Sequence, residues 1–299
     1  MKREIAAAVM AVCAAGAFAQ ARCEGGAYLN PRTLSGDSAA TALEAESALG
    51  TFMARSGLPA KPMSVIRRKD DATELARSTR PPCWIFANAA VGMGLGYKVA
   101  VVNIEPVRPV VYLLSEGQGS GTTGPLPIES LAAAEQTRLR ERLKKSRCFG
   151  MDADTSTALV RAQGMCAKVD DVAPRSGIGP QVLPVKAAFD WSEPSWTAFV
   201  MPASAPSAFS LKGLAGKSDK VASARIVAIA SKVESFGYGL YVHPSVGEIE
   251  RLKAASIFLD ISEPARPLAG ALDLGPKFSF QVPTAAQVVR MESALGIGL

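Results

Sequence analysis

From Ser38 onward the chain alternates between amphipathic helical stretches and short apolar runs bounded by glycine and proline. Alternation of this kind limits it to α/β architectures with mostly parallel sheets. Ser38 to Ala54 predicts a helix with Leu43, Leu49, Phe52 and Met53 on its inner stripe and Asp37 or Ser38 as cap. Pro62 to Ile66 predicts a strand, and Asp70 and Asp71 cap a short helix through Arg77. Cys83 to Ala87, Tyr97 to Val102 and Val107 to Leu114 follow as strands. A Gly/Ser/Thr loop at Ser115 to Gly124 forms a linker. Beyond it come a charged helix (Ile128 to Lys145), a strand (Arg147 to Met151), a helix (Thr155 to Cys166) and a loop (Val169 to Pro180). A helix at Val182 to Phe189 and strands at Trp196 to Met201 and Arg225 to Ala230 continue the pattern. The Gly/Tyr-rich run Phe236 to Val242 crosses back. A helix at Ser245 to Leu259 turns Val246, Ile249, Leu252 and Ile257 inward, and a strand at Phe278 to Val282 precedes a last helix near Thr284. The segment up to Gly36 reads as a polar lead-in. With the internal linker, the chain is long enough for two such sheets.

The N-terminus carries Lys2 and Arg3, an Ala-rich apolar run from Ile5 to Gly16, and the small-x-small site Ala17-Phe18-Ala19. These are the marks of a secretory signal peptide over residues 1–19, with Ala19-Gln20-Ala21 as a rival cleavage site. Val12 before Cys13 and Arg22 before Cys23 do not suit a lipid anchor. The expected mature protein is soluble and periplasmic. Removing the signal leaves Cys23, Cys83, Cys148 and Cys166, which in an oxidising compartment read as two disulfides or as four separate buried thiols. Cys148 begins a strand and Cys166 ends the helix after it. A strand packed antiparallel to its following helix returns both to one end of the unit. Cys23 and Cys83 then pair by elimination.

Several function classes are excluded by what the chain lacks. The net charge of +6 is spread along it, with basic clusters at Ile66 to Lys69 and Arg138 to Arg147 but no aromatics interleaved, so no nucleic-acid partner is expected. The one histidine, His243, precedes a proline at a strand end and reads as structural or exposed. No nucleophile elbow opens a helix, and Gly92-x-Gly94-x-Gly96 lacks dinucleotide spacing. No Cys-x-x-Cys pair accompanies the histidine, so neither a metal nor a cofactor is expected, and the chain reads as a non-enzyme. The pairs Asp70/Asp71 and Asp170/Asp171 read as capping or solvated groups, and Trp191 and Trp196 as cleft wall or core.

Five stretches carry a resemblance to a known family: Phe52 to Pro59, Asp70-Asp71-Ala72-Thr73-Glu74-Leu75, Trp84 to Asn88, Gly96 to Val101, and Met151-Asp152-Ala153-Asp154-Thr155-Ser156-Thr157-Ala158. From Leu43 to Leu259 the chain resembles type 2 periplasmic solute-binding proteins, in the branch that binds phosphate, phosphite and phosphonate for ABC transporters. The resemblance implies a two-lobed α/β fold with a ligand cleft between the lobes. It places residues 20–116 and 232–299 in the first lobe and 117–231 in the second, with hinges at Val107 to Leu114 and Arg225 to Leu240. It implies a monomeric receptor that delivers a small anionic ligand to a membrane permease. An orphan periplasmic domain for sensing or for assembly of a redox system is the alternative.

The candidate ligand contacts are Asn88 and Ala89 in the first lobe and Thr155, Ser156 and Thr157 in the second. Each set ends a strand and opens a helix, where unpaired amides and the positive end of the helix dipole face outward. Ordinary capping by Asp154 or Thr155 uses the same residues. The turn departs from the family in having Ala158 in place of a glycine and in bringing Asp152 and Asp154 beside the anion position. The family's Asp/Gly signature at the end of the second lobe stands here as Asp190-Trp191-Ser192-Glu193-Pro194-Ser195-Trp196.

Overall fold

A computed structural model describes residues 23–29, 39–103, 108–116, 126–172, 198–202, 224–259 and 279–297. The expected signal segment, most of the expected linker, the expected helix at 182–189 and the stretch 190–196 lie outside the described residues.

Two six-stranded sheets divide the molecule. The first contains β1 (Gly26–Leu29), β2 (Met63–Ile66), β3 (Trp84–Ala87), β4 (Lys98–Asn103), β11 (Gly239–Val242) and β12 (Phe280–Gln281), in the order β12-β4-β11-β3-β1-β2. The second contains β5 (Pro109–Glu116), β6 (Leu126–Pro127), β7 (Arg147–Met151), β8 (Lys168–Val172), β9 (Ala198–Pro202) and β10 (Ala224–Ala230), in the order β6-β10-β5-β9-β7-β8. Both sheets are mixed, against the mostly parallel expectation, because the strands around the two crossings run against their neighbours. β11 is antiparallel to β3 and β4, and β5 is antiparallel to β9 and β10. The first crossing falls between Asn103 and Pro109. β5 therefore belongs to the second sheet, and the boundary expected at residue 116 moves forward.

Three further expectations change. The polar lead-in contains β1, the strand between β2 and β3, whose four residues Gly26, Ala27, Tyr28 and Leu29 are all buried. The loop expected from Val169 begins as β8, the edge strand beside β7. Its charges suit an edge: Asp170 pairs with Arg147 and Lys168, and Asp171 with Arg161. The long charged helix is divided, with a 3-10 turn at Ile128–Ser130, extended backbone at Leu131 and Ala132, and then a helix at Ala133–Leu143.

The remaining helices are α1 (Ala39–Ser56), α2 (Lys69–Arg77), α3 (Ala89–Gly92), α4 (Ala133–Leu143), α5 (Thr155–Ala162), α6 (Glu248–Leu259) and α7 (Ala285–Leu295). α1 buries Ala45, Leu49, Phe52 and Met53, spaced four, three and one apart. Leu43 lies off that face, 68% exposed. α6 packs against α1 and buries Ala254, Ala255 and Phe258, so Ile249 and Leu252 point outward instead of inward. α7 is bounded by a reciprocal Thr284–Gln287 capping box and by Gly296 in the left-handed region. α5 ends at Ala162, earlier than expected, because Gly164 takes φ 59°.

The two disulfides lie on opposite sheets. Cys23–Cys83 joins the approach to β1 to the approach to β3, with Cα atoms 4.8 Å apart. Cys148–Cys166 closes the β7–α5 unit at 6.0 Å.

Candidate functional site

The turn between β7 and α5 is the point where the second lobe grips the first. Asp152 accepts the amide of Ala153 at 2.9 Å, and Asp154 caps α5 by accepting from the Ser156 amide at 3.2 Å. Between them Ala153 holds φ 62°, a left-handed conformation that a residue with a Cβ rarely adopts. This arrangement presents the Ala153 carbonyl to the first lobe, where the Asn88 side-chain amide donates to it at 2.6 Å. Asn88 also caps α3, accepting from the Val91 amide at 3.2 Å. The Ala90 amide donates to Thr155 Oγ1 at 3.0 Å, and the Lys69 amide at the start of α2 donates to Asp152 Oδ2 at 3.1 Å.

The structure therefore brings the five candidate residues Asn88, Ala89, Thr155, Ser156 and Thr157 to one seam between the lobes, and all five are buried there. Asn88 and Thr155 are bonded across the seam to the opposite lobe. Thr157 Oγ1 is buried with no hydrogen-bond partner. The seam is apolar as well as polar. Leu159 of α5 and Ala153 belong to the same buried cluster as Ala87, Ala89, Val91 and Met291 of the first lobe.

Beside this seam lies a crevice of about 530 Å³. α2 lines it with Lys69, Ala72, Thr73, Ala76 and Arg77, and α5 with Asp154, Thr157, Ala158 and Arg161. Both sets have helical spacing, so one face of each helix forms a wall. Val91 and Leu95 from the α3 region, Leu295 and Ile297 from the end of α7, and Asp152 and Asp171 also line it. Of the five candidates, only Thr157 lines this space. Lys69 and Arg77 were not singled out from the sequence as site residues; their spacing across two alanines on α2 was the available signal.

Burial pushes Asp154 up to about 6, with its bonds to Ser156 and Thr155 opposing the shift. Burial also raises Asp152, against the Lys69 amide and with the help of the Asp171 charge. Tyr238, whose hydroxyl is buried without a hydrogen-bond partner, is held well above the ordinary phenol value by burial and then by the Asp154 charge.

Other motifs have structural duties. His243 bonds Ser245 through Nδ1 at 2.7 Å and meets the Tyr97 ring edge-on. Gly92 lies under the Tyr241 ring, where a Cβ would come within 2.2 Å of it, and Gly96 takes φ 78°. Asp71 accepts from the Arg67 and Arg68 amides at the start of α2. Among the described residues no group of three His, Cys, Asp or Glu could hold a metal ion, and no helix is long and apolar enough to cross a membrane.

No protein-family model matches the chain, and no curated protein matches its sequence. Solved structures do match. The chain is similar to PhnD1 from Prochlorococcus marinus in complex with methylphosphonate, with a TM-score of 0.54 and 9% identity over 91% of this chain and 98% of that one. It is also similar to XAC2383 from Xanthomonas citri bound to a chloride ion, with a TM-score of 0.50 and 9% identity over 91% and 96%. The fold is that of the two-lobed periplasmic binding proteins of type 2.

Proposed function

We propose that the chain is an exported solute-binding receptor, with no catalytic step, that captures a small anionic ligand between its lobes and delivers it to an ABC permease. The observation that carries this reading is the crevice walled by one helix from each lobe. A site built from both halves is completed only when they come together, so ligand binding and lobe closure are coupled. The N-terminal export signal and the bound methylphosphonate in the similar PhnD1 structure support the compartment and the anionic class.

In this reading Asn88, Ala89, Thr155, Ser156 and Thr157 form the seam behind the site, with Thr157 reaching the crevice itself. Asn88 and Thr155 hold the lobes in the closed position, and Thr157 offers its unpartnered hydroxyl to the ligand. The experiment is a thermal-shift screen of the mature protein against oxyanions, sulfonates, carboxylates and amino acids. A ligand at 100 times its dissociation constant stabilises by about 2.7 kcal/mol. An anion that raises the melting temperature, with the rise diminished in the double substitution Thr155→Ala/Ser156→Ala, is the expected result. No shift with any solute class defeats the receptor reading.

A further inference from the structure

Three of the first-lobe donors that would meet a compact oxyanion at the seam are already engaged. The Asn88 amide is taken by the Ala153 carbonyl, the Ala90 amide by Thr155, and the Lys69 amide by Asp152. In α5 the Ser156 amide is taken by Asp154. The turn at residues 152–155 thus supplies from within the chain the oxygen atoms that an external anion would bring.

The adjoining crevice has a different character. Its volume lies within the range of roughly 300–1,000 Å³ typical of sites for drug-sized organic molecules, far more than a tetrahedral oxyanion fills. Ala72 and Ala76 on one wall and Ala158 on the other leave room for a ligand body between the helices. Val91, Leu95 and Leu295 give that body an apolar surface. The charges divide unequally. Arg161 is paired with Asp171 at 2.6 Å, and the Asp152 and Asp154 carboxylates accept backbone amides. Lys69 and Arg77 have no ion pair among the described residues. They stand eight residues apart on α2, about 12 Å along its axis. The lining therefore combines an apolar middle, one buried hydroxyl at Thr157 and two cations that no described carboxylate pairs.

We propose that this crevice takes an organic acid with an apolar body, its acid group held by Lys69 or Arg77, and that bare inorganic phosphate is a poor ligand. This rests on the receptor reading and narrows its ligand class. An apolar body gains from burial in proportion to its length, which a compact oxyanion cannot do.

Calorimetric titration of the mature protein with inorganic phosphate and with the straight-chain carboxylates from acetate to octanoate tests it. Affinity should rise about fourfold for each methylene buried until the crevice is filled. Phosphate should bind at least about a hundredfold more weakly than the best carboxylate, the deficit of a ligand that buries no methylenes. At least one of Lys69→Gln and Arg77→Gln should lower carboxylate affinity about tenfold, as expected on losing a charge-assisted contact. Neither should change the melting temperature of the free protein, since both side chains are exposed and make no ion pair among the described residues. Tight phosphate binding with a flat carboxylate series overturns the proposal, as does a carboxylate whose affinity neither substitution changes. If these acids fail while another solute class stabilises the protein, the inference falls and the receptor reading stands. If no solute of any class binds, both fall.

Discussion

Asp154 performs two tasks that conflict electrostatically. As the cap of α5 it must be an acceptor, and its desolvated position resists its charge. Its proton affinity in the folded protein is therefore raised above that of an unfolded carboxyl. A group of this kind contributes stability that is fully present below its unfolded value and lost as the pH rises through about 6. Between pH 7.5 and pH 5 the wild type should gain about 1.5 kcal/mol from this residue. Asp154→Asn keeps a capping oxygen without the charge, so it should remove that gain and raise stability at pH 7.5. Urea denaturation at the two pH values measures both effects; a variant with the pH dependence of the wild type would show that another group is responsible. The capping role of Asp154 was legible in the sequence as one of two readings of the turn. Its electrostatic coupling to Tyr238 was not, because the two residues lie far apart in the chain.

Helix α5 links the two halves by being buried in both directions. Val160 packs with the second-lobe core, while Leu159 joins the cluster of first-lobe residues around Ala87 and Met291. Leu159→Ala should cost about 2–5 kcal/mol, the usual range for a fully buried leucine. A measured loss under about 1 kcal/mol would mean that the seam around Leu159 is already loose. Most elements of this size were legible from periodicity, including α1, α2, β3, β4, β7 and β10. What failed was the choice of face. In α6 the large side chains Ile249 and Leu252 drew the inward assignment, yet the buried face is built on Ala254 and Ala255, small enough for α1 to approach. β1 was missed for a related reason. Four residues carry no period, and a strand buried on both sides shows no alternation to distinguish it from an apolar loop. β8 failed in the opposite direction, since its acidic pair marks a protected sheet edge and was read as solvated loop.

At the scale of the molecule, alternating elements were enough to indicate two α/β halves, but the assignment of strands to sheets required the pairings themselves. Every strand of the second sheet lies between residues 109 and 230, whereas the first sheet combines residues 26–103 with β11 and β12. A fragment spanning residues 108–231 should fold alone, with dispersed amide resonances and an oxidised Cys148–Cys166 pair. Collapsed resonances would show that it needs the first lobe for more than the seam at α5. The placement of β11 between β3 and β4 also sets a sequence of events in time. A chain delivered from its N-terminus presents β3 and β4 long before their shared neighbour arrives, leaving facing edges with unmet amides and carbonyls throughout the intervening synthesis. The second lobe can be finished during that wait. The facing edges of β3 and β4 are satisfied only once residues 239–242 lie between them, so a single four-residue strand late in the chain governs when the first sheet is complete.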